Sequence, residues 1–354
     1  LRWYDRERRE LPWRQSPSAY GTLVSELMLQ QTVVATVVPY FERFMRRFQD
    51  LRALASAPED DVLASWSGLG YYRRARHLHQ AARAIVQRHS GEIPRDESTL
   101  RELPGIGPYT AAAVAAIAFG ARTFALDGNA ARVTARLSGC KDAIEEPRAR
   151  DELRGFGQAL VPVDRPGDFA QAIMELGARV CVPRRPRCEE CPVAPSCAAF
   201  ATGETQAIPV RKARRKKRAV RLVCVAVVRG NRLLLVRRGA DELLGGTWTL
   251  PFVEAVGGDR RASADLAMRN LGLSLERTRD VGEVKHVFTH LEVTATVVWA
   301  VARGRPRNDA DVKFVPRVDI DALAIASFTR KMLATAVVGD AGRTTSRGKT
   351  SMGT

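Results

Sequence analysis

Apolar side chains recur at three- and four-residue spacing through Leu23, Val24, Leu27 and Met28, and again through Val37, Val38, Phe41, Phe44 and Met45. That period marks helices with one buried face. Further helices are predicted at 75–89, 108–119, 129–137 and 169–180, with Gly and Pro punctuating them at 68–70, 104–107 and 127–128. Many helices joined by short links predict an all-α architecture for residues 1–200. Beyond residue 203 the pattern changes. Residues 211–218 hold seven basic side chains in eight, and 201–219 reads as a basic linker. The hydrophobic period then drops to two, with strands expected at 221–228, 232–237 and 292–301. One helix, 261–271, is predicted among them, so 220–338 should form a separate α+β domain. The tail, 339–354, is mostly Gly, Ser, Thr and Arg and is expected to be disordered.

Length and composition narrow the class. A chain of 354 residues, 45% hydrophobic, can build two globular domains with their own cores. Its longest apolar runs, such as 110–119, are far shorter than the ~20 residues a membrane helix needs. The N-terminal stretch is charged and carries Trp3 and Trp13 where a signal peptide would be apolar, so a cytosolic protein is expected. Lys and Arg total 56 against 39 acids, a net charge of +17, and arginine carries most of it. That balance favours a polyanionic partner such as nucleic acid. Of six cysteines, Cys181, Cys188, Cys191 and Cys197 cluster, while Cys140 and Cys224 stand alone. Clustered cysteines in a chain without an export signal point to metal and not to disulfides.

Four motifs carry candidate chemistry. Leu103-Pro104-Gly105-Ile106-Gly107-Pro108-Tyr109-Thr110-Ala111 sets two glycines in a tight turn before a helix opening at Pro108, where backbone N–H groups suit a phosphate. Asp127-Gly128-Asn129 opens the helix bearing Arg132 and Arg136, in the manner of a capping turn. Glu26, in Val24-Ser25-Glu26-Leu27-Met28-Leu29-Gln30-Gln31-Thr32, falls at the margin of an apolar helix face. The cysteines follow the spacing Cys-x6-Cys-x2-Cys-x5-Cys, whose thiolates suit either a zinc ion or a [4Fe–4S] cluster. Only Cys188 and Cys191 form a close pair, which counts against structural zinc.

The nine-residue turn resembles the helix-hairpin-helix of DNA repair glycosylases. Together with Leu11-Pro12-Trp13-Arg14, the Glu26 segment and Leu69-Gly70-Tyr71-Tyr72, residues 1–200 resemble the MutY family of adenine DNA glycosylases, and the likeness continues more weakly to about 330. The resemblance implies a helical catalytic half, with a six-helix barrel at 20–130 and an iron–sulfur domain from 1–19 and 131–200. It implies a [4Fe–4S] cluster on the four cysteines and double-stranded DNA as partner. It also implies hydrolysis of the N-glycosidic bond of adenine opposite 8-oxoguanine or guanine.

Residue by residue, the resemblance makes Asp127 the catalytic carboxylate and Glu26 the acid, with Tyr109 and Asn129 supporting Asp127. Physical chemistry agrees with the pairing: adenine leaves more readily once protonated, and a carboxyl in an apolar pocket has its pKa raised. An ionised carboxylate then stabilises the positive sugar. Endonuclease III-like bifunctional relatives carry a lysine where Tyr109 stands, so a monofunctional enzyme is expected. Arg14 and Gln171 would line the adenine pocket, Gly105 and Gly107 would meet phosphate, and Gln31, Leu69 and Tyr71 would contact DNA near the orphan base.

Residues 220–338 resemble the Nudix (MutT-like) domain, from Gly246-Thr247-Trp248-Thr249-Leu250-Pro251 followed by a helix. Asp265 is the one carboxylate in 260–272, too few to hold divalent metal for diphosphate hydrolysis. Recognition is the expected role, with Phe288-Thr289-His290 matching a loop, usually Phe-Ser-His, that contacts 8-oxoguanine. Three rival readings are an endonuclease III-type glycosylase/lyase, a non-catalytic damage sensor and a nucleotide pyrophosphatase. Tyr109, the two carboxylates and the missing Nudix acids count against them in turn. A monomer acting at a bacterial nucleoid is the remaining expectation.

Overall fold

The computed structural model describes residues 1–213, 216–306 and 311–341. They group into two compact units, one of residues 1–57 and 76–213, the other of 58–75, 216–306 and 311–341. The sequence placed 58–75 inside the helical barrel, whereas it packs with the C-terminal strands. Residues 214 and 215 of the predicted linker, and 342–354 of the predicted tail, lie outside the described residues.

The first unit is helical. Its functional elements are α1 (Ala19–Leu29), α2 (Arg73–Arg88, whose first turn belongs to the other unit), α3 (Pro108–Phe119), α4 (Gly128–Ser138) and α5 (Pro166–Arg179). In α3 every residue from Thr110 to Ala116 is buried. A helix apolar all round belongs inside a core, and its small side chains let neighbours approach. Gly177 shows how closely α5 meets α4: a Cβ there would lie 2.6 Å from Cβ of Asn129. The hairpin turn depends on Gly105, whose φ of +71° suits glycine and whose missing Cβ would fall 2.2 Å from the His77 ring. Gly107 caps α3, and Pro108 occupies its first turn.

In the second unit the strands β1 (Arg218–Arg229), β2 (Arg232–Arg237), β3 (Trp248–Thr249), β4 (Phe252–Glu254), β5 (Ser274–Val287), β6 (Leu291–Arg303) and β7 (Val312–Pro316) form one mixed sheet. Strand β1 runs parallel to β6 from Arg218/Leu291 to Val227/Ala300, and β5 closes the edge antiparallel to β6. Helix α6 (Arg260–Arg269) covers one face and α7 (Ser327–Ala341) the other. Val220, Leu222, Cys224 and Ala226 pack towards α7, while Val223, Val225 and Val227 pack towards α6. Burial on both faces explains the nearly continuous apolar run of β1.

Several elements are absent from the sequence reading, among them the helix Pro147–Leu160 of the first unit and two elements of the second. Strand β5 was missed because it is an edge strand in which Val284 is the one fully buried residue, so it lacks an apolar stripe. Helix α7 was also missed, and it continues to Ala341, past the predicted domain end at 338. Its Phe328, Met332, Leu333 and Ala336 have helical spacing, but only the sheet shows what that stripe covers. Among the described residues no helix is long and apolar enough to cross a membrane. Replacing Gly105 by Ala combines a strained φ with a clash at His77. Gly105→Ala is expected to destabilise the first unit by about 2 kcal/mol, read as a lower thermal unfolding midpoint.

Candidate active site and DNA-facing groups

Helix α1 sets Glu26 among Leu23, Val24, Leu27 and Met28, and its side chain is deeply buried, at 5% exposure. The residue is thus inside the core and not at its margin, because α1 is covered on several sides. The Tyr109 hydroxyl, one residue into α3, donates to Glu26 Oε2 at 2.5 Å and lies 3.2 Å from Met174 Sδ. Burial raises the Glu26 pKa to about 7; the nearby Asp127 charge adds to the rise, and the Tyr109 hydrogen bond and Arg14 oppose it. Tyr109 stays a neutral donor, since burial and the charges of Glu26 and Asp127 push its phenol well above the ordinary value.

Asp127 is the N-cap of α4, accepting from the Ala130 N–H at 2.6 Å and from Asn129 Nδ2 at 3.0 Å. The capping and the candidate catalytic readings are therefore compatible. Burial raises its pKa, while the bonds from Ala130 and Asn129 and the charge of Arg132 pull it down. Tyr109 bonds Glu26 and not Asp127, unlike the expectation; Asn129 alone of the pair supports Asp127. Arg132 links Asn129 Oδ1 (2.8 Å) to the carbonyls of Gly177 and Cys181, tying this cap to α5.

Arg14 and Gln171 also meet, Arg14 Nε donating to Gln171 Oε1 at 2.9 Å. Behind them lies Glu175, a buried acid that the sequence reading did not single out, bonded to Arg9 and Arg14. Its position four residues after Gln171, on the same face of α5, was the available signal. Met174 had none, because its contact with Tyr109 arises only when α5 meets α3.

The four clustered cysteines line one small cavity together with Arg136, Arg187 and Thr205, while Cys140 and Cys224 do not. Arg136 donates to Cys181 Sγ at 3.2 Å and to the Val182 and Ile208 carbonyls. Among the described residues no three candidate ligands converge on a single metal ion. Four thiols lining one cavity are a donor set that suits a thiolate-held metal centre. Of the arginines between them, Arg187 is engaged with Glu190 and the Arg179 carbonyl.

Gln31 and Tyr71 are both exposed and both have left-handed backbones, with φ of +57° and +49°. Non-glycine residues there carry strain, which gathers at functional sites. Leu69 departs from expectation: its side chain is buried, so it supports the turn instead of facing solvent. The Tyr71 hydroxyl reaches Thr289 Oγ1 at 3.2 Å. Below it, Ser67 Oγ and Tyr72 OH both donate to the Ile325 carbonyl at 2.9 Å. Phe288 packs edge-on against Phe328 and His286, leaving Thr289 and His290 exposed at the β5–β6 turn.

Residues 24–158 match the model of the HhH-GPD superfamily of base excision DNA repair proteins, and 223–335 match the NUDIX domain. The adenine DNA glycosylase of Homo sapiens is 37% identical, the alignment covering 86% of this chain and 66% of that protein. That of Mus musculus is also 37% identical, covering 88% and 71%. The chain belongs to the adenine DNA glycosylase family. It spans about two thirds of the length of its human relative. A thermostable thymine-DNA glycosylase of known structure, 28% identical, superposes with a TM-score of 0.52 over 57% of this chain and 93% of its own. The fold is thus a helix-hairpin-helix glycosylase core joined to a Nudix-like sheet domain.

For a member of the adenine DNA glycosylase family, the buried Glu26 should leave a thermodynamic mark. Its carboxyl has a folded pKa of about 7 against 4.5 ordinarily, so the folded state holds the extra proton between those values. Stability is lost as pH rises through that window and levels off above it. Glu26→Gln does not titrate. Its stability relative to wild type should rise between pH 4.5 and 7, by about 3 kcal/mol, measured by denaturation across pH. A pH-independent difference would contradict the shift.

Proposed function

We propose that the protein is a monofunctional glycosylase that removes adenine opposite 8-oxoguanine, or opposite guanine, from duplex DNA. The observation that carries this reading is Glu26: a buried carboxyl tuned near neutrality, held at Oε2 by Tyr109, with the capped carboxylate Asp127 as its counterpart. With Oε2 occupied, Oε1 is free to deliver a proton to a ring nitrogen of a flipped adenine. The C1′–N9 bond then breaks, its electron pair leaving with the protonated base. The positive charge left on the sugar faces Asp127, whose oxygens are fixed by Ala130 and Asn129. Water adds at C1′ and loses its proton to the carboxylate. General acid catalysis supplies about 10²–10⁴-fold of the rate, and charge stabilisation much of the remainder. Tyr109 offers no amine for a Schiff base, which is why strand cleavage by lyase chemistry is not part of the reaction.

The opposite base is assigned to the second unit. Tyr71 and Thr289 present neighbouring hydroxyls on exposed turns, a hydrogen-bonding edge suited to an oxidised purine, while Gln31 enters the base stack. Hairpin glycines Gly105 and Gly107 hold the backbone at the phosphates. Cys181, Cys188, Cys191 and Cys197 would hold a [4Fe–4S] cluster in the cavity they line, with Arg136 offsetting its negative charge. That cluster would tie the 181–197 loop together and supply no step of base removal. The protein acts in this reading as a monomer on nucleoid DNA in a bacterial cytoplasm.

Duplexes carrying one A:8-oxoguanine or A:G pair test the activity. Strand breaks should follow hot alkali only; breaks without alkali would favour a lyase, and none under either condition would sink the enzyme reading. Asp127→Asn should bind the same duplex yet lose at least about 10³-fold in excision. Thr289→Val should narrow the rate preference for 8-oxoguanine over guanine, leaving A:G excision nearly unchanged; an unaltered preference would remove Thr289 from recognition.

A further inference from the structure

Glu175 is an acid whose side chain is 1% exposed, yet neither of the carboxylate roles above uses it. It accepts from Arg9 Nε at 2.6 Å, Arg9 Nη2 at 3.0 Å and Arg14 Nη2 at 3.0 Å. Burial works against its charge, and the bonds and charges of the two arginines hold its carboxyl below the usual range. Arg14 is thereby gripped at each nitrogen: Nη2 by Glu175, Nη1 by the Arg9 carbonyl, and Nε by Gln171 Oε1. Its guanidinium also lies over the Tyr4 ring, 5.6 Å from the centroid.

The consequence falls on Gln171. An amide end is nearly symmetric in shape, with an acceptor oxygen and a donor nitrogen that exchange places on rotation. The fixed N–H of Arg14 takes the oxygen, so the nitrogen faces the other way, and no described residue accepts from it. The pocket edge is thus a donor edge. Ring nitrogens of adenine accept there, whereas guanine brings its own N1–H donor. We propose that Glu175 is a positioning residue that sets the hydrogen-bonding polarity of the base pocket by locking Arg14 onto the Gln171 oxygen. The proposal rests on the adenine-glycosylase reading above.

Single-turnover excision from 8-oxoguanine duplexes carrying adenine, 1-deazaadenine or 3-deazaadenine tests it. Wild type should lose about tenfold or more on one analogue, the one lacking the acceptor that Gln171 reads. Glu175→Gln, and Arg14→Lys, which keeps the charge but lacks Nε–H, should bring that ratio within about threefold of one. Affinity for an abasic-site duplex should remain close to wild type. Glu175→Asp should restore much of the ratio. A wild-type ratio in either Glu175→Gln or Arg14→Lys would overturn the proposal, as would a wild type blind to both analogues. A wild type that removes no adenine at all would instead refute the functional reading itself.

Discussion

Placing a carboxylic acid where water does not reach is costly unless the acid stays protonated, and the catalytic unit is organised around that constraint at Glu26. The surrounding side chains on α1 are apolar, and the one strong partner, Tyr109, is a neutral phenol. A cation in its place would pull the pKa down and remove the proton that the proposed reaction spends. In the proposed reaction Tyr109 would have two consequences at one position: it would offer the sugar no amine and leave the acid its proton. Asp127 experiences the same burial, but N–H donors and Arg132 counteract it. Two carboxyls in one core thus differ in environment through their hydrogen-bond partners.

The wide reach of that site depends on α5. Its Gln171, Met174 and Glu175 meet Arg14, Tyr109 and the Arg9–Arg14 pair, and Gly177 lets the helix press against Asn129. Arg132 and Arg136 then carry the same packing from α4 to the cysteine loop through backbone carbonyls. Buried arginines here act as cross-links between chain segments. A part of the positive charge is thus structural, with Arg132 and Arg136 buried in the core.

In the second unit, strain and anchoring coincide. Tyr71 stands exposed on a left-handed backbone, and the turn beneath it is pinned to the Ile325 carbonyl by Ser67 and Tyr72. The Phe288 ring is sunk among Phe328 and His286, so Thr289 is presented at a defined place beside Tyr71. A Nudix-like sheet without its acids becomes in this arrangement a rigid mount for two hydroxyls.

Local chemistry in the sequence determined most of the longer helices of the first half, the Gly105 turn, the N-cap at Asp127 and the nearly continuous apolar run of β1. Each depends on residues within a few positions of one another, and the hairpin and cysteine spacings are likewise local. Tertiary structure decided the rest. Edge strand β5 has too few buried residues to announce itself, and Leu69 reads as a surface residue until its turn is packed. Grouping of 58–75 with the C-terminal strands depends on contacts with Ile325 and Thr289, more than 200 residues away. Above all, Glu26 looked like an acid at a helix margin. Its pKa is set by desolvation, which comes from the whole surrounding core and leaves no mark on the residues beside it in the chain.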